Sequence, residues 1–292
     1  FEEPRLHLTL ADGVLRVEDL TGRLFKGNVG LRATLNSRPL PGLGLSVQLR
    51  GADINQAMRT ALQLDQVSGL LDFTGKFQAA GSSQWDLVNA LSGKANVHAV
   101  NGVIRGFDMK NFSERLARLN KAPDFLNLVQ RAFSGGETKY QRVDGTWNIR
   151  NGVAETQDML AQLDASQATI KGKVRLPAWN MDLRAVLRLT DHSDAPDMGV
   201  HLYGPLDQPR HNVKTAQLER WLLARLGREL LGKSAKSKGL GKLLDAVTGG
   251  GRSSTQTQQQ PTTSQSEQQQ QQQQADPTQQ LIQGLFKSLK KK

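Results

Sequence analysis

The sequence predicts a mainly β fold: an antiparallel sheet with a few short helices, followed by a helical and then disordered C-terminal tail. Three observations carry this. Apolar residues recur with period two from the start to about residue 204, the pattern of half-buried strands. Asp-Gly and Asn-Gly pairs, which tolerate the positive φ of tight hairpins, separate several of these runs. Helical periodicity is confined to short segments, too few to cover every apolar strand face.

Taken in order, Leu6, Leu8 and Leu10 open the alternation, and "ADGV" at 11–14 marks a turn. The run Val29, Leu31, Ala33, Leu35 follows, then Leu45, Val47 and Leu49. "DINQAMRTALQL" predicts a helix capped by Asp53, with Gln56 three residues on. In "LLDFTGKFQA", Leu71, Phe73, Phe77 and Ala79 share one side, and Asp72, Thr74, Lys76 and Gln78 the other. "SQWDLVNALSG" offers Ser83 as cap before Asp86 and a stop at Gly93. Ala95, Val97 and Ala99 form the next strand, and "VNGV" at 100–103 reads as another hairpin turn. Residues 111–133 predict a broken helical pair around Pro123, with Phe112, Leu116 and Leu119 before it and Phe125, Leu128, Val129 and Phe133 after. "RNGV" at 150–153 is a third turn. The last strands carry Ile170, Val174 and Leu176, then Met181, Leu183, Ala185, Leu187 and Leu189. The segments after the first and third turns, beginning "DGVLRVEDL" and "NGVAETQDML", have the same order of strand, loop and strand, a weak internal repeat.

Roughly ten strands with one apolar face must bury it against a second sheet, helices or something other than protein. Aromatic residues make up 5% of the chain, and inward positions are mostly Leu, Val, Ala and Ile. A smooth aliphatic face suits hydrocarbon chains and suits a closed sandwich core equally, so the pattern leaves both open.

Composition narrows the function. The 292 residues carry 37% hydrophobic residues, a formal charge of +11 and no cysteine, which excludes disulfides, thiolate nucleophiles and Cys-ligated metal. The basic residues are not interleaved with stacking aromatics, against a nucleic-acid binder. The chain opens at Phe1 inside an alternating segment, so a C-terminal fragment of a longer protein is expected.

The stretch "GRELLGKS", Gly227 to Ser234, fits the spacing of a nucleotide-binding phosphate loop. Such a loop needs a buried strand before its first Gly and a helix beginning at Lys-Ser. Here "TAQLERWLLARLGRELL" predicts a helix capped by Thr215, with Leu218, Leu222, Leu226 and Leu230 at i+4 spacing, running through the motif. No nucleotide is expected. His7, His98, His192, His201 and His211 are dispersed, without the i, i+4 pair of a helical zinc site. "DHSDAPD" at 191–197 could hold a hard cation, although a solvated turn explains it more simply. Neither an enzyme nor a cofactor is expected.

Beyond Gly249 the sequence becomes Gly, Ser, Thr and Gln, including seven consecutive Gln at 268–274, which predicts a disordered tether. "DPTQQLIQGLFKSLKKK" then restores periodicity. Asp276 is a cap with Pro277 at the first helical position. Leu281, Ile282, Leu285, Phe286 and Leu289 form an apolar stripe flanked by Lys287, Lys290 and Lys291. This predicts a basic amphipathic anchor for a membrane surface or a partner-protein groove. The expected organisation is a β-groove domain at 1–212, a helical extension at 213–248, a linker at 249–275 and a terminal helix at 276–292.

The order of motifs adds a resemblance. "LSGKANVHAVNGVIRGFDM", a helical insert, "GETKYQRVDGTWNIRNGVAETQDM", "GKVRLPAWNMDLRAVLRL" and "LYGPLDQP" together resemble the C-terminal domain of the AsmA family, over roughly residues 1–212. The family implies a Gram-negative envelope protein in the periplasm, held in the inner membrane by an N-terminal helix, so a protein partner of the terminal helix is expected to be an envelope protein. Its members are similar to the repeating-β-groove, bridge-like lipid-transfer proteins, in which a curved sheet makes an apolar trough. The resemblance thus implies that the sheet is curved into an open groove, a trough that binds phospholipid acyl chains and conducts lipid between inner and outer membranes, without covalent chemistry. Its expected lining is Val29, Leu31, Leu35, Leu45, Val47, Leu49, Leu71, Phe73, Phe77, Val97, Ile170, Val174, Met181, Leu183, Leu187 and Leu189. The alternative expectation is a closed β domain acting as scaffold or regulator of outer-membrane protein assembly.

Overall fold

The computed structural model describes residues 1–37, 40–121 and 123–233, with side chains as far as Arg228. Twelve strands form one antiparallel sheet in which each strand pairs with its sequence neighbour. They are β1 (Glu2–Ala11), β2 (Val14–Leu24), β3 (Gly27–Asn36), β4 (Gly42–Asp53), β5 (Val67–Ala80), β6 (Ser92–Arg105), β7 (Glu137–Arg150), β8 (Val153–Leu163), β9 (Ser166–Arg175), β10 (Asn180–Leu189), β11 (Met198–Pro205) and β12 (Arg210–Lys214). The sheet is a meander with two free edges, β1 and β12. No second sheet faces it among the described residues, so the closed-sandwich alternative does not hold.

Turn chemistry sets much of this path. Asp12 and Gly13 have φ of 52° and 75°, and Asn151 and Gly152 have 48° and 69°, both hairpin turns as the sequence predicts. The "VNGV" expectation is corrected. Asn101, at φ 54°, lies inside β6, where the β5 register shifts between Ser68 and Leu70. Asn101 supplies positive φ to a bulge that bends the strand without reversing it. A Cβ on Gly102 would overlap Ser68 O and the Tyr140 ring, so the bulge also lets the Tyr140 ring lie against the backbone of β6.

Five helices join the strands among the described residues: α1 (Ile54–Leu62), α2 (Gln84–Ala90), α3 (Met109–Arg118), α4 (Asp124–Ala132) and α5 (Ala216–Lys233). Two of the caps read from sequence, Asp53 and Ser83, are present as side-chain caps, whereas Thr215 meets α5 through its backbone carbonyl alone, accepting from Glu219 N at 2.9 Å, and Asp276 lies outside the described residues. Asp53 accepts from Gln56 N at 3.1 Å, and Ser83 and Asp86 form a reciprocal capping box. Helices α1, α3, α4 and α5 gather at one end of the strands, where β5 begins and β6 ends. Phe112, Leu116, Phe125, Leu218 and Leu222 bury there against Ala99, Ala161, Ala168, Leu187, Leu189 and Met198 of the sheet. Burying each large side chain contributes about 1.5–3 kcal/mol, so this cluster anchors the C-terminal half. α5, expected as a separate extension beyond residue 212, instead packs into the core of the β domain through Leu218, Leu222 and Leu226.

Candidate functional site: an uncovered apolar sheet face

Antiparallel pairing aligns the alternating residues of neighbouring strands into rows. One row runs Leu31, Val47, Gly75, Ala95 and Trp147 across β3 to β7. The next runs Val29, Leu49, Phe73, Val97 and Gly145. On the other side of β8 the rows continue as Val174 with Met181, Leu183 with Leu202, and Ile170 with Ala185 and Val200. All point to one face, because residues two apart share a side of a pleated strand. Phe73 and Phe77 stack with centroids 6.4 Å apart, filling the space above Gly75, where a Cβ would collide with the Phe77 ring and crowd that of Phe73.

The structure sorts the expected lining into three groups. Leu31, Leu45, Val47, Leu71, Phe73, Phe77, Val97, Ile170, Val174, Met181 and Leu183 are half-buried on this face, and Leu35 is exposed at its rim. Val29 and Leu49 are buried with Ala52, against Leu24, Phe25, Leu71 and Phe73. Leu187 and Leu189, at 5% and 2% exposure, lie under the helices, so they belong to the packed core and not to an accessible trough. Leu71 and Ile170 pack against that core and mark where the open face meets it.

Sequence reading missed Trp147 and Ile149 on β7, Met159 on β8 and Leu202 on β11. Trp147 packs against the cluster of Ala95, Ile149 and Ala154, together with Phe73, Phe77 and Val174. The period-two signal was present as Val143, Trp147 and Ile149, with Gly145 as a gap; at Met159 a bulge after Thr156 breaks the period.

The opposite face is polar. His98 Nδ1 lies 2.7 Å from Asp144 Oδ1, and the Arg142 guanidinium also bonds Asp144. The Arg142 bond, more than any other contact, holds the Asp144 carboxyl below its usual range. His201 Nε2 lies 2.8 Å from Asp182, whose carboxyl this contact likewise lowers. Two cavities open on this polar side. One, of about 470 Å³, spans β2 to β6. The other, of about 1040 Å³, lies among Gln141, Gln162, Gln167, Arg188 and Asp197. An open apolar face has no mouth to enclose volume, so neither cavity coincides with it.

The segment 191–197 is more than a solvated turn. Asp191 accepts from Ser113 Oγ at 3.2 Å, and His192 Nε2 lies 2.9 Å from Ser113 O. Asp194 accepts from Trp221 Nε1 at 3.2 Å, and Asp197 pairs with Arg188 at 3.0 Å. The turn therefore ties β10 to α3 and α5, and its acidic groups are engaged by side chains. Gly227 to Lys233 of "GRELLGKS" continue α5 as helix, so their amides bond along the helix axis rather than converge on a phosphate. The C-terminal anchor residues Leu281, Ile282, Leu285, Phe286, Leu289, Lys287, Lys290 and Lys291 lie outside the described residues, as do the linker and Ser234.

The AsmA family model matches residues 2–159, over half of the chain and spanning β1 to most of β8. The chain belongs to the AsmA family. The AsmA match thus takes in β3 to β7 and ends before β10, the strand that carries Leu187 and Leu189. Searches among curated proteins and among solved structures found no match. No helix among the described residues is long and apolar enough to cross a membrane.

Proposed function

We propose that the uncovered apolar face binds lipid acyl chains, and that the protein conducts phospholipid between the inner and outer membranes as part of a periplasmic, inner-membrane-anchored assembly. The observation that carries this reading is the row structure of β3 to β7, where Leu31, Val47, Phe73, Phe77 and Val97 are half-buried and, among the described residues, lie outside the cluster packed under α1, α3, α4 and α5. Contiguous apolar surface of this extent is uncommon on a protein that meets only water, and marks a ligand or partner site. Acyl chains fit it because hydrocarbon contact is non-directional and needs no polar group in the floor. Membership of an envelope-associated family supports the location, and the charged opposite face supports a solvated exterior. No covalent chemistry and no cofactor are part of the proposal.

Photo-crosslinkers at Phe73, Phe77 and Leu183 test it. Each should capture lipid identifiable by mass spectrometry after gentle purification, while one at Arg184 on the polar face should not. Capture of protein alone from the apolar positions would sink the lipid reading and favour a scaffold in outer-membrane protein assembly.

A further inference from the structure

The polar cavity across β2 to β6 gathers cations and neutral donors in two adjacent rows. One row, Arg32, Ser46, Lys76 and Lys94, crosses four adjacent strands, and the next row sets Gln48, Thr74 and Asn96 beside it. Strands lie about 4.8 Å apart, so Lys76 and Lys94, directly opposite one another, place two ammonium-bearing side chains on neighbouring strands. Like charges at directly opposed positions are destabilising. Three cations elsewhere on this face have carboxylates in reach, Lys173 with Glu155 at 3.6 Å, Arg184 with Asp182 at 3.9 Å and Arg188 with Asp197 at 3.0 Å, while Lys171 and Arg175 form no ion pair among the described residues. Among the described residues, Lys76 and Lys94 have no ion pair and no hydrogen bond. Lysine on an edge strand blunts edge pairing, but β5 and β6 are central.

We propose that this cavity binds a phosphate-bearing anion. Its lining brings together Arg32, Lys76 and Lys94 against a single carboxylate, Asp19. Thr74, Asn96, Gln48 and Ser46 add neutral donors. Asn96 Nδ2 donates to Thr74 Oγ1 at 3.2 Å, which orients both groups, and Arg32 Nε donates to Glu18 O at 3.2 Å, which fixes the guanidinium on its row. A volume of about 470 Å³ lies within the roughly 300–1,000 Å³ of small-ligand sites. Phosphate suits this set because its several oxygens accept from donors on several strands, and lysines serve it as point charges. The ligand arrives from solvent, since the cavity is on the side of the sheet away from the apolar face. The site therefore stands or falls apart from the lipid-conducting proposal.

Isothermal titration with pyrophosphate tests it, beside sodium chloride at matched ionic strength and phosphatidylglycerol vesicles. Saturable pyrophosphate binding is expected. Lys76→Gln and Lys94→Gln should each weaken it about tenfold, as loss of one charge-assisted contact implies, with unchanged circular dichroism. Vesicle binding without pyrophosphate binding, weakened by the same two variants, would support the phosphate site and assign its source to a lipid headgroup. Responses to both pyrophosphate and vesicles no larger than that to sodium chloride, or affinity for whichever binds that is indifferent to both substitutions, would overturn the proposal.

Discussion

Tyr140 shows how one bulge fixes several residues at once. Its hydroxyl donates to Ser68 O at 2.7 Å across the bend of β5 and β6, and its ring occupies the space that a side chain at 102 would take. Gly102→Ala should lower stability by about 1–3 kcal/mol through overpacking, read from the urea midpoint. Tyr140→Phe should cost about 1 kcal/mol through the lost hydrogen bond. Burial raises the Tyr140 pKa to about 12, so the stability it adds is complete below pH 10 and is lost as pH rises toward 12. Carboxylates set the acid limb. Asp158 accepts from Thr146 N at 2.9 Å and Thr146 Oγ1 at 2.7 Å, and the backbone bond foremost lowers its pKa. Because its folded pKa lies below the unfolded one, its contribution is present above about pH 4 and fades as pH falls further. A pH series of thermal midpoints should fall in that range, and Asp158→Asn should make the fall shallower. An unchanged slope would assign the acid sensitivity elsewhere. At this scale Asp-Gly or Asn-Gly was legible as a positive-φ signal at all three places, at Asp12, Asn101 and Asn151, but whether it reverses or bends a strand depends on what faces it. At Asn101 that partner is Tyr140, about forty residues on in the chain, which no local reading can supply.

Among elements, the hairpins β2–β3 and β8–β9 bear out the internal repeat in geometry. Both have strands of 11 and 10 residues, and in both the first strand bulges, between Val17 and Leu20 and between Thr156 and Met159. Short helices were legible through their caps, because Asp53, Ser83 and Asp86 act on amides within three residues. The placement of α5 was not, since its stripe of Leu218, Leu222 and Leu226 shows that one side is buried without showing against what. Trp221 and Arg225 add polar ties: Trp221 Nε1 reaches Asp194, and Arg225 Nη2 donates to Ala117 O at 2.9 Å. Leu222→Ala should therefore cost about 2–5 kcal/mol, whereas Leu223→Ala, at an exposed position, should stay within about 0.5 kcal/mol. Equal effects on the melting temperature would mean that α5 is not docked. The same helix governs the phosphate-loop spacing. Lys233→Ala should leave nucleotide affinity unchanged at background, and saturable ATP binding abolished by that substitution would contradict the helical reading.

For the whole molecule, the choice between open trough and closed sandwich turned on what lies opposite the apolar face, and period two is the same in both. Leu183 and Leu187 make the point. They sit four residues apart on the same side of β10, with the same neighbours in sequence pattern, yet Leu187 is buried among α-helical residues while Leu183 pairs with Gly172 and Leu202 and, among the described residues, lies outside that cluster. Only the fold-back of α3, α4 and α5 separates them, and that depends on contacts tens of residues away. The difference gives a paired test of the architecture. A carboxylate at 187 would be sealed from water without a partner, at a cost of several kcal/mol, so Leu187→Asp should unfold the domain or lower its melting temperature steeply. At 183 the same carboxylate can reach solvent across the open face, so Leu183→Asp should keep near-native circular dichroism and a small shift in melting temperature. If acyl chains occupy that face, a charge in their path should nonetheless abolish lipid co-purification from Leu183→Asp. Three measurements then separate the outcomes. Unfolding of both variants would mean that the face is closed in solution, and folding of both would mean that the helical cap is loose. A folded Leu183→Asp that still co-purifies with lipid at the wild-type level would place the lipid path elsewhere on the molecule.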